Sequence, residues 1–478
     1  MTASAETTQQ RAAREGAVLA RLEAELGAAV STDDSERAAT RLDRSGWVAE
    51  GMPLAIVHAT TVTQVQATLR IASAFGVPVV SRGAGTGLAG GAAGGRGTIV
   101  LSLAGMNRIL EIRPEDELAV VEPGVINQDL NDALFAHGLW FAPDPASKAI
   151  SSVGGNIATN AGGLLCAKYG VTREAVLGLT VVLADGRLLR TGHRTVKGVT
   201  GYDLTALLTG SEGTLGVIVE ATVRARPIPA GTVATIGAVF PDVAAAAAAS
   251  AAITAAHIRP AVMELLDPLA LAAIASYLGP DGSAGLPLTG GAFLLVQTDG
   301  PAAEAEAEAA LRVVTTAGGD ARLSTDTESG DRLLAIRRAF HPALAARGDV
   351  LIEDVSVPRS RMAEMFDAIA TISARTGVPI PTVAHAGDGN LHPNFVIPSD
   401  PRRAGPADIL DIIWSAADEV FRAALGLGGT LTGEHGVGVL KRRWLADELG
   451  DTSYTLQRQL KAVFDPANIL NPHVMFTP

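Results

Sequence analysis

Five of the eleven residues from Ser81 to Gly91 are glycine, in the run Ser81-Arg-Gly-Ala-Gly-Thr-Gly-Leu-Ala-Gly-Gly91. Such a stretch suits neither a helix nor a strand interior, because glycine loses the most backbone freedom on ordering. It follows the β-rich run Val77–Val80, so it reads as a loop leaving a strand. Its N–H groups are free to turn into one concavity, a nest suited to phosphate oxygens. Gly85, Gly87 and Gly90 spell G-x-G-x-x-G, but a dinucleotide fingerprint needs a helix opening there, and Gly94, Gly95 and Gly97 follow instead. Two more loops of the same kind lie downstream, Ser151–Gly163 and Thr209–Gly216. Three of them in one region suit a backbone wrapped around a large, extended, polar ligand such as a dinucleotide.

A chain of 478 residues exceeds one compact core, so two or three domains are expected. Hydrophobic residues at 47% against 18% charged mark a folding chain. The net charge of −12 argues against nucleic acid as a partner. One cysteine, Cys166, excludes an intramolecular disulfide, a cysteine-based zinc site and an iron–sulfur cluster held by this chain alone. It fits a reducing compartment. Residues 1–28 lack an apolar signal core and read as a polar amphipathic helix, and no apolar run is long enough to span a membrane. A cytoplasmic protein is expected, with peripheral membrane contact left open and a homodimer compatible.

Residues 50–225 alternate short β-rich runs with glycine-rich turns: Ala55–His58, Val77–Val80, Thr98–Leu103, Leu118–Val121 and Leu179–Leu183 read as strands, with Thr63–Phe75 helical. The Arg226–Pro229 stretch marks a boundary. Beyond it, strand, helix and strand signals recur twice: Val233–Phe240, Asp242–His257 and Ala261–Leu266, then Ala292–Thr298, Pro301–Ala317 and Ala321–Ser324. Two βαβ units of this size predict a ferredoxin-like layer. Residues 360–377, 405–425 and 452–463 read as helices. The expected class is α+β, with domains at 1–228 and 229–430 and a C-terminal segment, 431–478, packing back on the first.

Three of the nine histidines lie in two short stretches, His385-Ala-Gly-Asp-Gly-Asn-Leu-His392 and, 42 residues on, Glu434-His435. A glycine-containing loop between the first two can turn both imidazoles inward, and Glu434 can add a third ligand while leaving coordination positions open, as in a catalytic site. His435 is then left as a proton acceptor. Asp388 and Asn390 are expected to shape the turn or support the ligands. Two histidines and a glutamate suit a divalent metal, zinc first, with iron or manganese as alternatives.

These segments carry a resemblance. Arg82–Gly91, Ala142–Ser147, Val153–Gly163, Thr209–Gly216, His385–His392, Gly433–Gly438 and Ile469–Pro472 resemble the flavoprotein family of vanillyl-alcohol oxidase and para-cresol methylhydroxylase. Within that family they resemble the FAD-linked D-2-hydroxyacid dehydrogenases, from about residue 45 to the C-terminus. The resemblance implies a two-part FAD-binding domain, a ferredoxin-like substrate (cap) domain and a C-terminal helical segment.

It also implies FAD with its pyrophosphate on Arg82, Gly83, Ala84, Gly85, Thr86, Gly87 and Gly91. Pro143, Asp144 and Ser147 would run along the ribityl chain and isoalloxazine, with Gly154, Gly155, Asn156, Ala158, Thr159, Asn160 and Gly163. The third loop would add Glu212, Gly216, Val217 and Ile218, and Asn471 would close over the ring. The first loop has no histidine to tether the flavin, so the FAD is expected to be non-covalent.

The resemblance further implies that His385, His392 and Glu434 bind metal and that His435 is the general base. Arg337 would grip the substrate carboxylate bidentately, and Asn394 would reach the same carboxylate. Taken alone, Arg337 reads as a surface residue of a helix. His341, one helical turn on, could face the same pocket or solvent. Where the hydroxyglutarate-oxidising branch carries a lysine for a distal carboxylate, Ile352 stands here, next to Glu353. That favours a small or apolar D-2-hydroxyacid, such as D-lactate, 2-hydroxybutyrate or glycolate, over D-2-hydroxyglutarate. The electron acceptor (a quinone, a cytochrome, oxygen or a partner flavoprotein) is not readable. Two other readings stay open: a metal-dependent hydrolase, which leaves the glycine loops unexplained, and a non-catalytic FAD-binding subunit, against which the intact histidine set argues.

Overall fold

A computed structural model describes residues 7–279, 282, 284–288, 290–397 and 411–477. The chain divides into two compact units, one of residues 1–161, 172–227 and 436–478, the other of residues 162–171 and 228–435. Residues 162–171, which the sequence reading kept in the first domain, thus pack in the second. No helix among the described residues is long and apolar enough to cross a membrane.

In the first unit, Ala55–His58 and Val79–Arg82 both run parallel to Ile99–Ser102, with Val30–Ser31 at the edge. Parallel strands are covered on both faces, which is why these read as short apolar runs. The helix Val62–Phe75 packs here; a Thr61/Gln64 capping box starts it and left-handed Gly76 ends it. The N-terminal helix Thr8–Leu26 adds Val18 and Leu22 to the same core. The strand expected at Val77–Val80 lies two residues later, beyond Pro78, and, as the sequence implied, no helix opens in the glycine run that follows. A second sheet, antiparallel throughout, runs in the order Ile109–Arg113, Leu118–Val121, Val217–Arg224, Val176–Val182, Leu188–Gly192. The C-terminal tail returns to this unit: Val79 donates its N–H to Ile469 O, and Asn471 donates its own to Val79 O.

The second unit is built on one large sheet. Its first four strands lie in the order Asp320–Ser324, Val233–Phe240, Ala292–Asp299, Val262–Leu266. Numbered along the chain this is 4-1-3-2, the ferredoxin-like arrangement that the two βαβ units predict. The sheet continues through Thr382–His385, Asn390–Ile397 and Asp349–Ile352. The alanine-rich helix Val243–Ala255 packs against Ala303–Thr316 and Met362–Thr376, its small side chains permitting close approach. Two helices the sequence reading did not delimit, Pro268–Leu278 and Thr327–Arg338, supply core residues Leu271, Ile274, Leu333 and Ile336. The helix expected over 405–425 spans Asp411–Gly426, and residues 405–410 lie outside the described residues.

Candidate functional site

The histidine segment is a β-hairpin rather than a free loop. His385 ends one strand, four residues turn at Ala386–Gly389, and His392 sits in the next strand. Gly389 has φ +89°, and a side chain there would overlap Val357 O. Register then fixes the site. Val383 lies opposite His392, His385 opposite Asn390, Glu264 opposite His385 and Ile352 opposite Asn394. Paired residues share a face and side chains alternate along each strand. Glu264, His385, His392, Asn394 and Ile352 therefore project from one face of the sheet.

Glu434 arrives from the segment that follows Thr430, which bridges to Ser356. Asp354 Oδ2 accepts the backbone N–H groups of Gly433, Glu434 and His435 at 2.7, 2.6 and 3.2 Å. Three successive N–H groups folded around one buried carboxylate hold this turn. Glu434 Oε1 then stands 3.6 Å from His385 Nε2 and 3.2 Å from His392 Nε2. All three ligand atoms lie within 4.8 Å of one another. Metal–ligand bonds of about 2.0–2.2 Å put neighbouring ligands roughly 3–3.5 Å apart, so the set fits a divalent ion.

The electrostatics agree. Burial pushes His385 down, but Glu264 and Glu434 outweigh it and raise the imidazole well above its ordinary value. Burial pushes Glu434 up, yet its bonds with His385 and His392 hold it well below the usual carboxylate range. The arrangement favours positive charge at His385 Nε2, which is where a cation would sit. Gly162 is needed close by: a Cβ there would come 2.5 Å from Glu434 Oε2.

His435 stacks on His392, ring centroids 5.2 Å apart, and its Nδ1 faces Asp354 Oδ1 at 3.8 Å. Arg337 is buried and donates its Nε–H to Glu264 Oε2 at 2.7 Å, so it is not the surface arginine its helix suggested. Asn394 is fully buried; its Nδ2 donates to His392 O at 2.7 Å, which leaves Oδ1 as a buried acceptor with no partner among the described residues. The second Nδ2 hydrogen remains available to a carboxylate and Oδ1 to a hydroxyl donor. Asp388 Oδ1 accepts Asn390 N–H, shaping the turn as expected. His341 does not join the group. Ala339 ends one helix and begins the next, so the i, i+4 relation to Arg337 is lost and His341 is exposed. Glu264 and Asp354 were not recognised from sequence, although each is an acid within an apolar stretch, a signal of a paired buried charge.

The glycine loops form a separate cradle in the first unit. Asn127 Nδ2 donates to Pro143 O and Asn127 N–H to Ser151 O, tying the Pro143–Ser147 stretch to the second loop. A side chain on Gly83 would overlap the Ser152 hydroxyl, so the first and second loops touch. Gly154, Gly155, Asn156, Ala158 and Thr159 lie in the short helix Val153–Thr159, with left-handed Asn160 at its end. Glu212, φ 52°, donates its N–H to Ala158 O and accepts Asn471 Nδ2 at its carbonyl. Its buried carboxylate accepts Val437 and Gly438 N–H at 2.8 and 2.7 Å, and burial pushes it up to about 7. Asn471 Nδ2 also reaches Gly91 O. Gly216 precedes the strand that begins Val217–Ile218.

Ala84, Gly85, Thr86 and Gly87 lie in the first loop, where Gly85 has φ +72°. Arg82 donates Nη1 to Leu42 O, upstream of that loop, and to Ala92 O, just past its end. Gly163 falls in the second unit and donates its N–H to Cys166 Sγ. Ser151 Oγ, Asn156 Nδ2 and Asn471 Oδ1 are buried with no hydrogen-bond partner among the described residues. Orphaned polar atoms of that kind beside a glycine cradle fit a bound polar cofactor.

The fold is of the p-cresol methylhydroxylase architecture, and the family matches make the chain an FAD-binding oxidoreductase. Residues 53–192 match the family described as FAD binding domain, and residues 231–475 match FAD linked oxidases, C-terminal domain. The glycolate oxidase subunit GlcD of Bacillus subtilis is 42% identical over 431 residues, covering 89% of this chain and 90% of that one. The D-lactate dehydrogenase of Archaeoglobus fulgidus is 35% identical over 421 residues, covering 87% and 90%. Among solved structures, substrate-bound p-cresol methylhydroxylase gives a TM-score of 0.78 at 20% identity over 96% of both chains, a likeness of fold. The chain belongs to the FAD-linked oxidase family. This membership sets aside the hydrolase reading.

Proposed function

We propose that this chain oxidises a small D-2-hydroxyacid, such as D-lactate or glycolate, to the 2-oxoacid. The reading is carried by the convergence of His385, His392 and Glu434 with His435 stacked beside them. The names of the relatives, a glycolate oxidase subunit and a D-lactate dehydrogenase, support it. When bound, FAD supplies the acceptor for a hydride and a divalent metal supplies the charge that acidifies an alcohol. His385, His392 and Glu434 would hold that metal, zinc first, with iron or manganese as alternatives. His435 takes the hydroxyl proton at Nε2, while Asp354 faces Nδ1 and favours the charge the ring acquires. Arg337 binds the substrate carboxylate through its terminal nitrogens, since its Nε is engaged by Glu264. Ile352 and Glu353 leave no cation at the expected position for a second carboxylate, which favours a short side chain. The electrons pass on to a quinone, a cytochrome or a partner flavoprotein. The test is turnover of paired D- and L-2-hydroxyacids with an artificial electron acceptor, before and after chelation. D-selective turnover that is lost on chelation and restored by metal is expected; a flavin- and metal-loaded protein inert toward every D-2-hydroxyacid would overturn the reading.

A further inference from the structure

Glu264 is an acid at the centre of a fully buried strand, Val262-Met-Glu-Leu-Leu266. Its side chain is completely buried and both of its oxygens are engaged. Oε1 accepts His385 Nδ1–H at 2.6 Å, and Oε2 accepts Arg337 Nε–H at 2.7 Å. A carboxylate can only accept, so this contact puts a proton on His385 Nδ1, and the neutral ring then presents its Nε2 lone pair toward Glu434 and His392, as a metal ligand must. The second contact fixes the plane of the Arg337 guanidinium, whose terminal nitrogens have no partner among the described residues. Burying a carboxylate is costly unless it is paired, so a plain packing position would hold an apolar residue.

We propose that Glu264 is a positioning residue that couples the metal centre to the carboxylate-binding arginine. It orients a metal ligand with one oxygen and the substrate-gripping guanidinium with the other, setting the distance between the two ends of a 2-hydroxyacid. The inference rests on the functional reading above for the role of Arg337.

The test compares full-length holoenzymes of wild type, Glu264→Gln, Glu264→Asp and Arg337→Gln. Zinc affinity is read by chelator competition, FAD occupancy by visible absorbance, and KM and kcat with D-lactate. Glutamine cannot accept from both partners with equal strength. Glu264→Gln is expected to weaken zinc about 10–100-fold and to raise KM, with FAD occupancy unchanged. Glu264→Asp recovers part of both. Arg337→Gln raises KM and leaves zinc affinity close to wild type, separating the two arms. Wild-type zinc affinity and KM in Glu264→Gln overturn the inference, as does parallel loss of zinc and FAD, the mark of a merely structural role. If Glu264→Gln does not fold, Glu264→Asp decides: zinc affinity and KM must shift together, and a change in only one overturns the coupling. The zinc arm needs no substrate, so a wild-type chain that binds zinc yet oxidises no D-2-hydroxyacid sinks the functional reading alone.

Discussion

Asp354 meets His435 at two points: Oδ2 accepts the His435 backbone N–H at 3.2 Å, and Oδ1 faces the ring Nδ1 across 3.8 Å, beyond hydrogen-bond distance. The same carboxylate thus fixes where the proposed base sits and what charge faces it. Asp354→Asn keeps an oxygen acceptor for the turn and removes the negative charge. The expected outcome is a kcat lower by about 10²-fold with zinc and FAD contents retained. Steady-state kinetics with metal analysis checks it, and an unchanged kcat would make Asp354 an anchor of the turn only.

Gly162 is required by distance. A Cβ on it would meet Glu434 Oε2 at 2.5 Å and Glu434 Cβ at 3.1 Å. Gly162→Ala must therefore move a proposed ligand by several tenths of an ångström, and metal sites tolerate such shifts poorly. Zinc affinity should fall about tenfold, in the range seen when ligand support is removed. Chelator competition reads this directly, and retention of wild-type affinity would show that Glu434 can give way or is not a ligand.

What could be read before folding follows from distance along the chain. The strands Leu118–Val121 and Val233–Phe240 lie where the sequence puts them, because apolar runs between turn residues are local signals. His385, His392, Glu434 and His435 are adjacent or nearly so within glycine-marked segments, and stood out for that reason. Glu264 did not: it meets His385 from 121 residues away, through strand register that no local pattern encodes. Asp354 serves as the anchor for His435 from 81 residues away. His341 failed in the opposite sense: a local i, i+4 rule was extended across Ala339, where the helix ends. The 162–171 segment likewise reads as continuous with the second glycine loop, although it belongs to the second unit, where Asp299 binds its Lys168 and Tyr169.

Ile352 is directly opposite Asn394, on the face that carries His385 and His392. An aliphatic side chain there offers nothing to a distal carboxylate, which would be left desolvated and unpaired. Ile352→Lys supplies the missing cation. The ratio of kcat/KM for D-2-hydroxyglutarate to that for D-lactate should rise about 10–100-fold. A ratio unchanged in a correctly loaded variant would place substrate-size selection elsewhere.

Asp267 gives a pH dependence independent of the proposed metal site. It caps the helix Pro268–Leu278, accepting Ala270 N–H at 2.7 Å, and burial pushes its carboxyl up to about 7 from 3.8. Between those values the folded chain binds a proton that the unfolded chain has released, so stability falls as pH rises. The loss begins above the unfolded value and is complete once pH passes the folded one. Asp267→Asn keeps the cap, since asparagine serves that position as well as aspartate, and removes the ionisation. Its Tm relative to wild type should therefore be higher near pH 8 than near pH 5, by about 2 °C for a chain of this length. Thermal melts of the two proteins at both pH values measure it, and parallel shifts at the two would show that Asp267 does not titrate across that range.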